Sequence, residues 1–292
     1  MRIRLRFEKT GAVRFIGHLD FMRSFQKIVR LSGLPAVYTT GFNPHMILSF
    51  ADPLGVGVES TAEYADLEMA WKDPADLTRH EMDRLSDIGL DNDALPPPPS
   101  GEEILAALND AAPAGVLFTG AARVGLIRNS KAMAQVRYAS WKIALRDDLL
   151  AECDLSACAD SIMKADTLVV HKVSKKNEKD VDIRPMILSF CAGTDDDFPE
   201  SVTDPMFSRR RVLLLTCSSG SFENLKPSLL LESICLSEGE NFDPVKVRLI
   251  RTELFDKDRV PLLESGEAVR YACISRLQNT IQGSGFHYSG AL

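Results

Sequence analysis

The 292-residue sequence contains no hydrophobic run near the ~20 residues that cross a bilayer, and its first residues, MRIRLRF, alternate charged and aliphatic side chains. We therefore expect a cytoplasmic protein with no membrane contact. The six cysteines are scattered and form no Cys-x-x-Cys pair, so we expect free thiols and no metal or iron–sulfur site. No Gly-Lys-Ser/Thr loop and no third glycine after Gly55 and Gly57 occurs, so no nucleotide cofactor is expected.

Trp and Tyr are also few, at two and five residues, and the aromatic strand signature of RNA-recognition motifs is absent. What the chain does have is 45% apolar and 26% charged residues, the composition of an ordinary folded protein. Its length allows two domains.

The charge is unevenly distributed. Residues 1–30 hold eight basic and two acidic side chains, a net charge of +6, which leaves −13 for the rest because the whole chain carries −7. A second basic stretch at 123–146 contains six basic and no acidic residues. A polyanion would bind these two stretches in preference to the remainder of the chain.

Apolar periodicity predicts a strand over 2–7, a return strand containing Gly11, Val13 and Phe15, and an amphipathic helix over 19–32. Further predicted elements of the first half are strands at 36–39, 47–50 and 62–70, helices at 75–89 and 101–111, a stiff proline spacer at 95–100, and a strand at 115–124.

The second half repeats this order, with strands at 134–145, 167–174, 181–190, 209–217 and 245–255 and helices at 147–163 and 226–237. We therefore predict an α+β protein of two tandem ferredoxin-like domains, each an antiparallel sheet with helices on one face. The predicted domains are residues 1–125, with an insertion near 74–99, and residues 126–257, followed by a C-terminal extension, 258–292, with one helix. An acidic loop is predicted at 193–208.

Polar side chains are densest around the first predicted helix and the loop after it. The candidate binding residues are Lys9, Arg14, His18, Asp20, Arg23, Lys27, Arg30, Asn43 and His45. An imidazole at a helix start, beside a carboxylate and several bases, suits proton transfer or phosphate binding. The alternative is that His18 and Asp20 cap the helix and the bases are solvated. A metal site built from His18, Asp20 and His45 lacks the usual ligand spacing, and no metal is predicted.

Asp182 and Arg184 are candidates of a different kind, because they lie on one face of a predicted strand. Rows of this type are commonly solvated or ion-paired, so a binding role needs support from elsewhere.

Several ordered motifs resemble the bacterial radical-SAM-linked protein family, whose members are fused to, or encoded beside, radical SAM enzymes. The first is RFEKTGAVRFIGHLD at 6–20, followed by GFNPH at 41–45, LSF at 48–50, EYAD at 63–66, DIRP at 182–185 and RTEL at 251–254. The likeness spans roughly residues 2–255. Gly17 stands where the family pattern has a serine, and residues 74–99 look inserted.

The resemblance implies an accessory protein of a radical SAM enzyme, with RNA or a ribosome-associated component as a further partner. Our leading hypothesis is a non-catalytic protein that binds RNA or another anionic partner through the basic residues of 2–30 and 123–146 and presents it to the radical SAM enzyme. Arg14, Arg23, Lys27 and Arg30 would contact phosphates. The alternatives are a metal-independent endoribonuclease with His18 as general acid or base, and a protein–protein adaptor.

Overall fold

The computed structural model describes residues 1–70, 98–125, 130–173, 178–265 and 269–273. The strands there are β1 (Arg2–Lys9), β2 (Leu48–Phe50), β3 (Glu59–Glu68), β4 (Val116–Val124), β5 (Tyr138–Leu145), β6 (Val169–Val173), β7 (Glu178–Asp182), β8 (Ile187–Ala192), β9 (Val212–Ser218), β10 (Val247–Phe255) and β11 (Val269–Cys273). The α-helices are α1 (His18–Leu31), α2 (Gly101–Ala111), α3 (Ala132–Gln135), α4 (Leu155–Lys164) and α5 (Pro227–Ser237).

Nine of these strands form one large, mostly antiparallel sheet in the order β11, β4, β1, β3, β10, β5, β9, β8, with β2 also paired to β3. The strands β6 and β7 form a separate two-stranded sheet. The protein is therefore a mixed α+β structure with few helices, and the α+β class predicted from the sequence is confirmed.

Strand β1 lies in the middle of the first half, between β3 and β4. Its aliphatic and aromatic residues, Ile3, Leu5 and Phe7, belong to the core beneath α1 and α2. Its arginines alternate with them and face the opposite side of the sheet, where Arg2 and Arg4 are also buried. Both faces of this strand are therefore covered.

Helix α1 forms where its apolar spacing predicts, and it buries Phe21, Phe25 and Ile28. The Phe25 ring lies 5.2 Å from that of Phe7 and 5.3 Å from that of Phe118, so the helix is held to two central strands by aromatic contacts. Such pairs contribute about 0.5–1.5 kcal/mol each beyond their buried area. Gly33 follows the helix at φ +74°, a conformation that suits glycine.

The two halves meet where β3 pairs with β10 in parallel. Glu59 lies opposite Ile250 and Ser60 lies opposite Arg251, and the Ser60 hydroxyl donates to the Arg251 carbonyl (3.0 Å). Strands from both predicted domains therefore belong to one continuous sheet.

The predicted return strand at Gly11, Val13 and Phe15 is wrong, since Gly11–Phe15 forms a 3-10 helix. Gly11 has φ +63°, which turns the chain out of the strand direction. The predicted strand at 36–39 is reduced to isolated bridges of Ala36 with Met69 and Tyr38 with Met46.

Two elements of the second half also differ from prediction. The helix predicted from residue 147 begins at Leu155, after the Asp154 side chain has accepted hydrogen bonds from the backbone N–H groups of residues 156 and 157. The strand predicted over 181–190 is divided between β7 and β8 by a 3-10 turn, Arg184–Met186, since proline at 185 interrupts strand pairing. The acidic loop at 193–208 contains two 3-10 turns, Asp195–Asp197 and Pro205–Phe207.

Part of the predicted C-terminal extension returns to the sheet, because β11 pairs with β4. The helix predicted over 75–89, most of the proline spacer and the helix predicted in the extension lie outside the described residues. Helix α2 has the predicted bounds and begins with a capping box between Ser100 and Glu103.

Candidate functional site

The basic residues of β1 are not a free cationic surface. Arg2 pairs with Glu68 (2.9 Å), Arg4 with Asp66 (2.9 Å) and Arg6 with Glu253 (3.5 Å). Arg4 is fully buried, and its guanidinium also donates to the carbonyls of residues 130 and 262. Most of the charge of this strand is therefore neutralised inside the protein, contrary to the interpretation of residues 1–30 as one binding surface.

Arg14 is likewise held by a carboxylate. Its Nη1 lies 2.6 Å from Oε1 of the buried Glu59, which also accepts the N–H of Gly11 (3.3 Å) and the hydroxyl of Ser201 (2.8 Å). The Arg14 guanidinium stacks over the Phe15 ring at 4.5 Å from its centroid. Arg14 therefore serves to fix this turn, and the phosphate contact predicted for it has no support in this geometry.

Lys9 lies inside the protein with 3% of its surface exposed. Its Nζ donates to the carbonyl of Ile16 (3.0 Å) and lies 5.1 Å from the centroid of the Phe21 ring. Burial lowers the pKa of the Lys9 ammonium below its usual range, although the nearby carboxylate of Glu63 offsets part of this effect.

His18 is the first residue of α1, and its ring makes an edge contact with Phe50 at 5.3 Å between centroids. Partial burial lowers the pKa of His18, and the positive charge of Lys9 lowers it further. The imidazole is therefore held toward its neutral form. The preceding Gly17 is the N-cap of α1 and supplies no side-chain cap, at the position where the resembling family has a serine.

Three of the predicted site residues form an exposed stripe along α1, spaced by four and three positions: Arg23, Lys27 and Arg30. We call these the α1 cations. Arg23 pairs with Asp20 (2.8 Å) in an exposed contact of the kind worth at most about 1 kcal/mol. Within the described part of the chain, Lys27 and Arg30 have no ion-pair partner.

Asn43 and His45 lie in an exposed loop. The His45 Nδ1 atom is 3.0 Å from the hydroxyl of Thr39, whose Oγ1 also accepts the His45 N–H (3.1 Å). His45 therefore organises its own loop through Thr39, whereas His18 contacts Phe50.

Asp182 and Arg184 fix a turn rather than line a surface. Asp182 accepts the backbone N–H groups of Leu168 (2.8 Å) and Arg184 (3.0 Å). The Arg184 guanidinium donates to the carbonyls of Met163, Ala165 and Ile187, so it joins the end of α4 to β8. These contacts give both residues a structural role in the turn.

The second basic stretch lies largely on and around β5. Lys142 faces Asp197 (3.9 Å), Arg146 pairs with Asp148 (2.6 Å), and Arg137 donates to the carbonyls of residues 134 and 136. The carboxylates and carbonyls in these contacts belong to the second half of the chain. Arg128 lies outside the described residues. Three cations of this stretch are therefore held by local contacts.

A buried ionic network at the junction of the two halves was not predicted. Arg251 on β10 is 2% exposed, and its guanidinium donates to both oxygens of Glu63 (2.7 Å each) and to Asp52 Oδ2 (2.8 Å). Asp52 also accepts the hydroxyl of Ser219 (2.7 Å). Burial raises the pKa of Glu63, and the Arg251 charge counters this rise. We call Arg251, Glu63 and Asp52 the junction network.

A second buried contact lies on the opposite face of β3, which carries Tyr64. Its hydroxyl donates to Glu253 (2.6 Å), which also faces Arg6. Burial raises the pKa of Glu253, and burial together with the Glu253 carboxyl raises that of Tyr64. The local sequence gives no distinct signal for these residues, because β3 (ESTAEYADLE) and β10 (VRLIRTELF) each carry several charged side chains.

In the described residues no group of three or more His, Cys, Asp or Glu side chains is placed to hold a metal ion, and His18, Asp20 and His45 form no such group. No helix in these same parts of the chain is long and apolar enough to span a membrane. Five cysteines there are free thiols.

The large, mostly antiparallel sheet and the few helices make this a mixed α+β protein. The model of a family described as an uncharacterized protein conserved in bacteria, DUF2344, matches residues 2–92 and 82–227. The chain belongs to this family. No curated protein matches the sequence.

Proposed function

We propose that this protein is a non-catalytic accessory partner of a radical SAM enzyme and that it binds RNA along the exposed face of α1. The observation that carries the binding part is the stripe of α1 cations. Of the eight basic residues in the N-terminal thirty, Arg2, Arg4, Arg6 and Arg14 are ion-paired, and Lys9 is buried. The α1 cations, by contrast, are exposed, and the Arg23–Asp20 ion pair among them lies at the surface and is weak, so these side chains can contact phosphate groups.

The helix geometry suits a phosphate backbone. Arg30 lies seven positions after Arg23, and a rise of 1.5 Å per residue makes the stripe about 10 Å long. Three phosphate contacts predict that log K falls with log salt at a slope of about −2 for single-stranded RNA, because about 0.7 counterion is released per contact. A tenfold increase in salt should therefore weaken binding about 100-fold.

A titration of labelled RNA at low salt tests this surface. We expect the double variant Lys27→Glu/Arg30→Glu to bind at least tenfold more weakly than the parent protein. A matched control is Lys164→Glu/Lys257→Glu, which makes the same change of net charge at two exposed lysines elsewhere. RNA affinity that is undetectable at low salt, or equally weakened in both double variants, would contradict the proposal.

The association with a radical SAM enzyme is supported by the motif resemblance, and it requires a separate experiment. The tagged protein should retain a radical SAM enzyme when purified gently from cells that produce it at native levels. An acidic protein retained without RNA would instead favour the adaptor function, in which the α1 cations contact carboxylates.

A second candidate function is RNA cleavage with His18 as general acid or base. The observation that favours it is the partly buried imidazole beside Lys9, whose lowered pKa keeps a proton acceptor available at neutral pH. Positioned proton transfer contributes about 10²–10⁴ in rate, so His18→Ala should remove most cleavage while RNA binding persists. Absence of cleavage in the parent protein would reject this candidate.

We also propose that each half is a ferredoxin-like unit. Strands β4, β1, β3 and β2 are adjacent in this order in the first half, and β10, β5, β9 and β8 follow the same order in the second. In both, one helix follows the first strand and another precedes the last. An experimental structure in which the two halves do not superimpose would contradict this interpretation.

A further inference from the structure

An exposed apolar patch lies directly before the α1 cations. Phe15 is 60% exposed at the end of the 3-10 turn that leads into α1, and Leu19, in the first turn of the helix, is 64% exposed. Val56 is also 64% exposed and lies near Gly17. Large exposed apolar side chains that cluster in this way mark binding surfaces more often than single ones do.

One face of the Phe15 ring packs against a guanidinium group. The Arg14 guanidinium lies over that face, 4.5 Å from the centroid, and is itself fixed by the buried Glu59. Because Glu59 also accepts bonds from Gly11 and Ser201, the turn is tied to β3 and to the second half of the chain. The ring is thus oriented in advance, so a ligand that stacks on it loses little conformational freedom of the protein.

We infer that Phe15 is a stacking platform for an unpaired nucleobase, and that the RNA bound along α1 is single-stranded. This inference rests on the proposed RNA-binding function. Every nucleobase has a π-face that can stack on an aromatic side chain, but in a duplex those faces are covered by neighbouring bases. The platform therefore selects unpaired RNA without selecting its sequence.

The positions along α1 support one continuous track. Leu19, Arg23, Lys27 and Arg30 follow one another at spacings of four, four and three residues, so they share one face of the helix. Phe15 lies four residues before Leu19, at the end of the 3-10 turn that precedes α1. A strand that ran from this ring along the helix would bring two or three of its phosphates beside the α1 cations, given their ~10 Å span.

Fluorescence anisotropy with a labelled 12-nucleotide oligoadenylate and with a 12-base-pair RNA duplex tests this inference. We expect the parent protein to bind the single strand at least tenfold more tightly than the duplex. Phe15→Ala should weaken single-strand binding by about 5- to 100-fold, the range found for loss of one stacked base, whereas Phe15→Tyr should retain it. Duplex binding should be unchanged in both variants.

The matched control is Phe222→Ala, because Phe222 is also highly exposed (86%) and faces a guanidinium, that of Arg137, at 6.0 Å. This variant should bind like the parent protein. A 2-aminopurine within the oligonucleotide reports stacking directly, and its quenching on binding should disappear in Phe15→Ala. Far-UV circular dichroism verifies that each variant is folded.

The outcomes separate this inference from the function on which it rests. If both RNAs bind equally well and Phe15→Ala has no effect, while Lys27→Glu/Arg30→Glu still weakens binding, the stacking platform is wrong and the cationic surface is retained. If neither RNA binds, both proposals are wrong. Equal weakening by Phe15→Ala and Phe222→Ala would also overturn the assignment of the platform to Phe15.

Discussion

Replacing Arg251 by methionine should strongly destabilise the protein, because this residue is the cation of the junction network. The guanidinium donates to Glu63 and Asp52 while only 2% of Arg251 is exposed. Methionine fills a similar volume but leaves the Glu63 carboxylate buried without its partner. Breaking a buried ion pair in this way costs about 3–5 kcal/mol. At about 2–4 °C per kcal/mol, the melting temperature should fall by about 6–20 °C.

The free energy of unfolding lost in Arg251→Met should depend on pH, because Glu63 is a buried titratable group. The pKa of Glu63 is raised in the folded protein by burial, so its contribution to stability is largest below the unfolded pKa and is lost as pH rises through the folded pKa. Removing the Arg251 charge raises the folded pKa of Glu63 further. Arg251→Met should therefore cost less at pH 5.5 than at pH 8, because Glu63 is protonated more readily in the variant.

Urea unfolding followed by circular dichroism at the two pH values measures both effects. The double variant Arg251→Met/Glu63→Gln should recover part of the lost free energy of unfolding, since the buried carboxylate is gone. Arg23→Met, at a side chain that is 73% exposed, is the control and should change stability by less than about 0.5 kcal/mol. A cost below 1 kcal/mol at pH 8, or a cost independent of pH, would refute the reasoning.

Three further predictions concern α1. Phe25→Ala should lower the free energy of unfolding by about 3–5 kcal/mol in a urea titration, because the Phe25 ring is fully buried. A loss no larger than that caused by truncating an exposed phenylalanine would contradict this. Gly17→Ser should raise the free energy of unfolding by about a few tenths of a kcal/mol in the same titration, because its hydroxyl can cap the helix, whereas Gly33→Ser should lower it, since position 33 has φ +74°. An NMR titration should place the pKa of His18 below its usual value and show that Lys9→Met raises it; no change on removing Lys9 would contradict the charge effect.

The elements with a clear apolar period were predictable from sequence. Helix α1 begins and ends within a residue of its predicted bounds, and α2 has the predicted bounds. In both, apolar residues recur at helical spacing and a glycine or a capping serine marks an end. The turn at 11–15 was not predictable in the same way, because a positive φ at Gly11 outweighs a short apolar alternation.

The burial of the β1 arginines could not be deduced from local sequence. Alternation of arginine with aliphatic residues shows that a strand has two different faces, but it does not show that the charged face is solvated. That outcome depends on Asp66 and Glu68, which β3 brings opposite Arg4 and Arg2 from more than sixty residues away. Since an isolated buried guanidinium is costly, these carboxylates and the arginines must be buried together.

The same reasoning changes what net charge says about a binding surface. The +6 of residues 1–30 counts Arg2, Arg4, Arg6 and Arg14 as if they faced solvent, although each has a carboxylate within 4 Å. The field that an anionic partner would meet comes from the cations that the fold leaves exposed, which on this segment are those of α1. Phe15 shows the converse, because a residue expected in a strand is instead exposed at the end of a 3-10 turn. A charge count therefore locates the segment, and burial together with the opposing carboxylates determines which of its cations stay exposed.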